Sequence, residues 1–317
     1  METRRLGHSG LQVSVVGLGC NNFGGRLDQE ATTRVVRAAL DQGVTLFDTA
    51  DVYGGQGRSE ELLGRALGAE RTQVVLATKF GHDMGEDGKG ASRAYIQKAV
   101  HASLRRLGTD YIDLYQLHTP DPHTPIEETL EALNELVQQG LVRAVGCSNL
   151  KAEAVQEADR LAVAQQLTRF TSCQDEYSLL VRDVEAELVP TMQTLDLGLL
   201  PYFPLASGLL TGKYRPDQPL PEGTRFAGSK GAQDRYMNER NWAVVEQLRQ
   251  FAEGRGHTLL ELAFSWLAAQ PTVSSVIAGA TRPEQVQQNV QAVAWTLSPE
   301  ELAEVDRLTR PQAVSAD

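Results

Sequence analysis

The chain has 317 residues, 41% hydrophobic and 22% charged, which suits a soluble globular fold of one barrel-sized domain or two smaller ones. Its net charge of −11, with no basic run, argues against a nucleic-acid partner, whose phosphates need a positive surface. No stretch reaches the ~20 apolar residues of a membrane span; "METRRLGHSG" lacks the apolar centre of a secretory signal, and Cys20, Cys147 and Cys173 are too few for a disulfide framework, pointing to a cytoplasmic protein.

Eight short apolar runs alternate with amphipathic helical patterns. They are "VVGLG" (15–19), "VTLF" (44–47), "VVLAT" (74–78), "YIDLYQL" (111–117), "VRAVG" (142–146), "RFTSCQ" (169–174), "LGLLPYF" (197–203) and "SSVIAG" (274–279). Such runs suit strands buried on both faces of a parallel sheet. Ahead of the first, "RRLGHSGLQVS" reads as a small hairpin placed to plug a barrel floor. After the second run, within "FDTADVYGGQGRSEELLGRAL" (47–67), Ser59 is the expected helix cap and Leu62, Leu63, Ala66 and Leu67 the buried face. After the third, Ile96, Val100, Leu104 and Leu107 repeat at helical spacing before Gly108. After the fourth, Thr124-Pro125-Ile126-Glu127 predicts a capping box with proline at the first helical position.

Residues 211–238 have little periodicity and read as a long loop after the seventh strand, a lid over the C-terminal face. Ser298-Pro299-Glu300-Glu301 opens a last helix outside the pattern. Eight strand–helix units without a composition break favour a closed α/β (β/α)8 TIM barrel over a doubly wound sheet, as a single domain over residues 1–317.

In such a barrel the residues at the strand ends converge on one rim. Asp48 and Tyr53 follow the second run, Lys79 the third and His118 the fourth; Ser148 and Asn149, then Gln174, then Tyr202 follow the next three. A lone Asp or Tyr in a loop is ordinarily a turn residue, but these four rim residues make chemical sense together. A phenol with pKa about 10 is a poor acid near neutrality, and an adjacent ammonium is expected to lower it. Buried Lys79 needs a carboxylate such as Asp48 to stay charged, and His118 can hydrogen-bond a substrate oxygen. The set suits protonation of a carbonyl oxygen while hydride attacks the carbon. "HTPDPH" lacks the helical ligand pair of a metal site, and no G-x-G-x-x-G opens a helix after a strand, so neither a metal nor a Rossmann site is expected. A Schiff-base isomerase using Lys79 is disfavoured by the polar residues after the later strands.

With "FDTADVYGGQGRSEELLGRAL", "VVLATKFG", "RLGTDYIDLYQLHTPDP", "GLVRAVGCSN", "YFPLASGLLTGKYR" and "IAGATRPEQVQQNV", the chain resembles the aldo-keto reductases nearly end to end. The resemblance implies a (β/α)8 barrel that binds NADP(H) along its C-terminal face and reduces a small-molecule carbonyl. By it, Tyr53 is the general acid, Lys79 and Asp48 tune it, and His118 orients the carbonyl. Cys20, Asn21 and Asp48 would bind the cofactor; Ser148, Asn149 and Gln174 would hold the nicotinamide carboxamide, with Tyr202 stacked on the ring. Pro204, Leu205, Ser207, Gly208, Lys213 and Arg215 would follow the pyrophosphate; Gly279, Thr281, Arg282, Gln285, Gln288 and Asn289 would surround the adenosine. Arg282, at a helix start that attracts phosphate, would meet the 2′-phosphate.

The sequence departs from the family pattern at three places. Gln288 stands where Glu is usual, Asp175 where Asn is common, and Asn21-Asn22-Phe23 where Trp is frequent. Potassium-channel β subunits share the barrel and are the alternative, a cofactor-binding regulatory subunit; they carry Asn where His118 stands, so His118 favours an enzyme. Oligomeric state and physiological substrate are not legible.

Overall fold

The structure is a computed structural model that describes residues 1–216 and 218–310. An antiparallel hairpin, β1 (Thr3–Arg5) and β2 (Gln12–Ser14), precedes eight parallel strands. These are β3 (Val16–Gly19), β4 (Leu46–Asp48), β5 (Val75–Phe80), β6 (Ile112–Leu117), β7 (Val142–Ser148), β8 (Phe170–Gln174), β9 (Gly198–Leu199) and β10 (Val276–Gly279). They pair in sequence order, with β10 beside β3. The ring closes between β9 and β10, where Leu199 N–H donates to Thr272 O at 2.8 Å and Ser274 N–H to Leu199 O at 2.9 Å. All eight expected strands are present, and the fold is the (β/α)8 barrel with its N-terminal hairpin.

Helices α1 (Gln29–Asp41), α2 (Arg58–Leu67), α3 (Arg93–Leu107), α4 (Ile126–Gln138), α5 (Ala152–Gln165) and α6 (Leu188–Leu195) each follow one of the strands β3 to β8. After β9 come α7 (Lys230–Tyr236), α8 (Glu239–Glu253) and α9 (Leu259–Ala268); α10 (Pro283–Gln291) follows β10, and α11 (Pro299–Thr309) lies outside the repeat. No helix among the described residues is long and apolar enough to cross a membrane. One apolar cluster fills the space between strands and helices. A second fills the lower barrel, where Leu6 and Val13 of the hairpin pack with Leu46, Val75, Leu114, Ala144 and Ile277. The hairpin therefore closes the floor, and the opposite end is left for ligands.

Three local expectations are corrected. Helix α2 is preceded by Gly57 in the left-handed conformation with no side-chain cap, because the Ser59 hydroxyl is used elsewhere: it donates to Cys20 O at 2.8 Å and meets Thr49 Oγ1 at 2.9 Å. Helix α4 starts at Ile126 with no side-chain cap; Thr124 turns its hydroxyl to Asp121 Oδ2 at 2.8 Å, since that carboxylate organises the preceding turn. The long loop after β9 is partly helical: Ser229 caps α7, whose Arg235 and Tyr236 both bond the Glu176 carboxylate. Asp217 within that loop lies outside the described residues.

Gly64 marks where α2 meets α3. A Cβ there would lie 2.3 Å from the Leu107 carbonyl oxygen. Helix propensity alone favours alanine at Gly64 by about 1 kcal/mol, but the clash is with backbone, and overpacking of this kind costs about 1–3 kcal/mol or more. Gly64→Ala is therefore expected to lower stability in urea unfolding; a gain in stability would show that α2 and α3 are not held this close.

Candidate active site

Lys79 and Asp48 form the centre of the upper barrel. Lys79 is fully buried in β5, and its Nζ donates to Asp48 Oδ2 at 2.6 Å and to Thr49 O at 2.9 Å. The other Asp48 oxygen accepts from Gln174 Nε2 at 2.9 Å and from Gln116 Nε2 at 3.3 Å. A buried ion pair loses its hydration, and only such extra donors make its burial tolerable.

Tyr53 reaches this pair from the loop after β4. Its amide closes a turn on Ala50 O at 3.2 Å, and its carbonyl accepts from Ser59 N–H at 3.1 Å. Gly54 follows with φ of 72°, and a Cβ there would lie 2.4 Å from Phe23 O, so only glycine lets this loop fold back over the rim. The Tyr53 ring lies 5.0 Å from Lys79 Nζ and 5.6 Å from the His118 ring, nearly perpendicular to it.

The electrostatics differ from the sequence expectation at Tyr53. Burial raises its pKa above the ordinary value and outweighs Lys79, whose lowering effect Asp48 partly cancels. Tyr53 is thus held protonated. Burial opposes charge on Lys79, but Asp48 and Tyr53 together keep its pKa above the ordinary lysine value. His118 is pushed down to about 2, chiefly by burial and then by Lys79 and His82, so it is a neutral imidazole. His82, whose ring is 4.2 Å from that of His118, was not anticipated from the sequence.

A second buried network stands behind the Tyr53 loop. Glu60 is fully buried and accepts from Thr78 Oγ1 and Arg106 Nε, both at 2.6 Å. Asp51 accepts from the Tyr95 hydroxyl at 3.4 Å, and burial, aided by Glu60, raises its pKa to about 7.

The tetrad opens into a cleft of about 1110 Å³ that runs to the start of α10. Asp48, Tyr53 and His118 line it; so do Cys20, Asn21, Ser148, Asn149, Gln174, Tyr202, Pro204, Leu205, Ser207, Gly208, Lys213, Gly279, Thr281, Arg282, Gln285, Gln288 and Asn289. Lys79 lies beneath its floor. Arg215 does not join the lining; its guanidinium is spent on the carbonyls of Gly212 and Tyr214, at 2.7 and 2.8 Å. His118, Asp121 and His123 do not converge: Asp121 is committed to Ala91 N–H and His123 N–H.

Among the lining or supporting residues that sequence reading missed are Gln116, Arg26 and Arg225. Gln116 shares the inward parity of His118 on β6, and a polar residue in that apolar run was its signal. Arg26 and Arg225 sit on separate loops, with no local signal that they meet at one cleft. Burial, then Arg26, lowers the Arg225 pKa, and its guanidinium lies 5.2 Å from the Phe203 ring. Among the described residues neither forms an ion pair, nor does Lys213. A chain of net charge −11 thus places three cations without ion pairs around a cleft that Asp48, Glu222 and Glu261 also line, and those three cations suit anionic groups of a ligand.

Residues 15–310 match the model of the Aldo/keto reductase family. The chain belongs to that family. Among its relatives, a "Probable voltage-gated potassium channel subunit beta" of Arabidopsis thaliana is 39% identical over 310 residues, covering 92% of this chain and 91% of the relative. An "L-glyceraldehyde 3-phosphate reductase" of Escherichia coli O157:H7 is 37% identical, covering 97% and 92%. An aldo-keto reductase of Bacillus subtilis is 35% identical, covering 97% and 93%. This aldo/keto reductase thus has both enzymes and channel subunits among its relatives.

Asp51 gives a pH test of the loop that carries Tyr53. Its folded-state pKa is raised, so it favours the fold when protonated and loses that contribution as pH rises through about 7. Relative to Asp51→Asn, the wild type is expected to lose roughly 1–3 kcal/mol of stability between about pH 5 and 8. Urea unfolding at both pH values checks this; parallel curves for the two proteins would refute it.

Proposed function

We propose that this aldo/keto reductase reduces an aldehyde or ketone to the alcohol with NADPH, as a cytoplasmic enzyme. The observation that carries the reading is the protonated Tyr53 beside a buried, charged Lys79 and a neutral His118 at the mouth of one cleft. NADPH, when bound, supplies the hydride to the carbonyl carbon. Tyr53 donates its proton to the carbonyl oxygen. Its raised pKa keeps that proton available across neutral pH, and Lys79 favours the phenolate that remains. Asp48 keeps Lys79 charged. Neutral His118 offers a ring N–H to the developing oxyanion; its Nδ1 is buried without a partner.

The cleft residues fit the cofactor by their chemistry. Gln174 bonds Asp48, Ser148 bonds the Gln174 carbonyl and Asn149 bonds Ser148, and the three would hold the carboxamide. Tyr202, fixed by its hydroxyl on Asn149 Oδ1 at 2.8 Å, would face the nicotinamide ring. Ser207 and Gly208 have left-handed backbones in the turn that would receive the pyrophosphate with Lys213 and Arg225. Arg215 bonds the Gly212 and Tyr214 carbonyls beyond that turn and does not line the cleft. Thr281, Arg282 and the start of α10, where no side chain caps the free N–H groups, would meet the 2′-phosphate.

The relative described as an L-glyceraldehyde 3-phosphate reductase makes a small polar aldehyde the first substrate class to try. The channel-subunit relatives keep a regulatory role in view, but His118 supplies the hydrogen bond that turnover needs.

Two measurements follow. NADPH oxidation with 4-nitrobenzaldehyde or methylglyoxal is expected to fall about 10²–10⁴-fold in Tyr53→Phe, with NADPH binding retained. Equal rates in both proteins refute the proton role; binding without turnover in the wild type on a broad carbonyl panel favours the regulatory reading. Arg282→Ala is expected to raise KM for NADPH about tenfold or more while leaving that for NADH nearly unchanged. An unaltered preference removes Arg282 from the 2′-phosphate site.

A further inference from the structure

Among the described residues no hydrogen bond secures the ring of His118. A neutral imidazole that donates from one nitrogen is ordinarily held by a hydrogen bond at the other, which sets both its tautomer and its plane. Here that other nitrogen, Nδ1, is buried without a partner. What holds the ring instead is two neighbouring rings. Tyr53 stands 5.6 Å away at an interplanar angle of 81°, and His82 stands closer, 4.2 Å away at 72°.

The backbone brings the two imidazoles together. His118 N–H donates to Phe80 O at 2.8 Å, tying the end of β6 to the end of β5. Gly81 then turns the chain with φ of 119°, a conformation that favours glycine, and His82 follows beside His118. Gly90 N–H closes this loop on Gly81 O at 3.0 Å, and the buried Met84 anchors it. The charges next along the loop are spent on each other, Asp83 accepting from Lys89 at 3.2 Å and from Gly85 N–H at 2.9 Å. Burial and then Lys79 lower the His82 pKa, so at neutral pH it meets His118 as a neutral ring.

Two aromatic rings set edge to face attract because the positive edge of one meets the negative face of the other, and the attraction depends on their angle. Such a contact resists rotation of the imidazole. With Nδ1 buried, Nε2 is the nitrogen left for the cleft that His118 lines. We propose that His82 is the positioning residue of this site: its ring, packed across that of His118, fixes the plane in which His118 presents its N–H to the carbonyl oxygen. The inference rests on the carbonyl-reduction reading above. His82 is not part of the cleft lining and acts through His118.

Three substitutions separate the ring of His82 from its nitrogens. With NADPH and 4-nitrobenzaldehyde, His82→Ala and His82→Gln are expected to lower kcat about 10- to 100-fold, with both KM values changed less than about threefold. His82→Phe keeps a ring and loses the nitrogens, and its kcat is expected to stay within about threefold of wild type. An equal loss in His82→Phe and His82→Ala overturns the proposal. In a His118→Gln background there is no ring to orient, so adding His82→Ala should change the residual kcat less than about twofold. A loss as large as in the wild-type background shows a general packing effect and overturns the proposal. Imidazole nitrogen NMR of His118 adds a readout that needs no turnover. A single neutral tautomer is expected in the wild type and His82→Phe, and exchange-averaged signals in His82→Ala; unchanged signals in His82→Ala overturn the proposal. Absence of wild-type turnover on every carbonyl tried overturns the reduction reading instead, and the His118 spectra then decide whether His82 holds the ring.

Discussion

The buried Lys79–Asp48 pair is the constraint on which the upper barrel depends. Each ion loses several kcal/mol of hydration on burial, and the pair is tolerable only because Thr49, Gln116 and Gln174 complete its hydrogen bonds. Those groups come from the turn after β4, from β6 and from β8. An open sheet would not bring β4 and β8 across from each other; a closed barrel does. The polar centre and the closure therefore require one another, and the apolar lower barrel beneath supplies the remaining stability.

Tyr53 depends on that centre from outside it. Its loop is shaped by Gly54 against Phe23, by Ser59 against Thr49 and Cys20, and by Asp51 and Glu60 against α3. Groups that would ordinarily serve as helix caps and surface charges are drawn inward to hold one phenol. The result is a phenol kept neutral by burial and poised beside a fixed positive charge. A phenol so placed gains from low dielectric because its interaction with Lys79 strengthens as water is excluded.

The cleft has a different electrostatic character at each end. Near the tetrad it holds Asp48; toward the loops it gathers Arg26, Lys213 and Arg225 with Glu222 and Glu261, and at α10, Arg282. Phosphates along a ligand's length suit the cations of the loops and of α10, while Asp48 at the other end is already paired with Lys79. Against a net charge of −11 this concentration of cations stands apart, and Arg26, Lys213 and Arg225 form no ion pair among the described residues.

The order of strands, the hairpin ahead of them and the four residues at successive strand ends were legible in the sequence, because burial on both faces imposes continuous apolar runs and a barrel places their ends on one rim. Gln116 was legible in principle, by its parity with His118. The start of α2 was misread because a cap signal is local, whereas the Ser59 hydroxyl is claimed by Cys20 and Thr49 across the loop. The direction of the Tyr53 pKa was misread for the same reason: residue types foretell a nearby ammonium, but the depth of burial that outweighs it exists only after folding. The convergence of Arg26 with Arg225, the withdrawal of Arg215 and the contact of His82 with His118 were decided by tertiary structure alone. Each depends on which distant backbone comes within a few ångströms of a side chain, and the sequence carries no periodic trace of that.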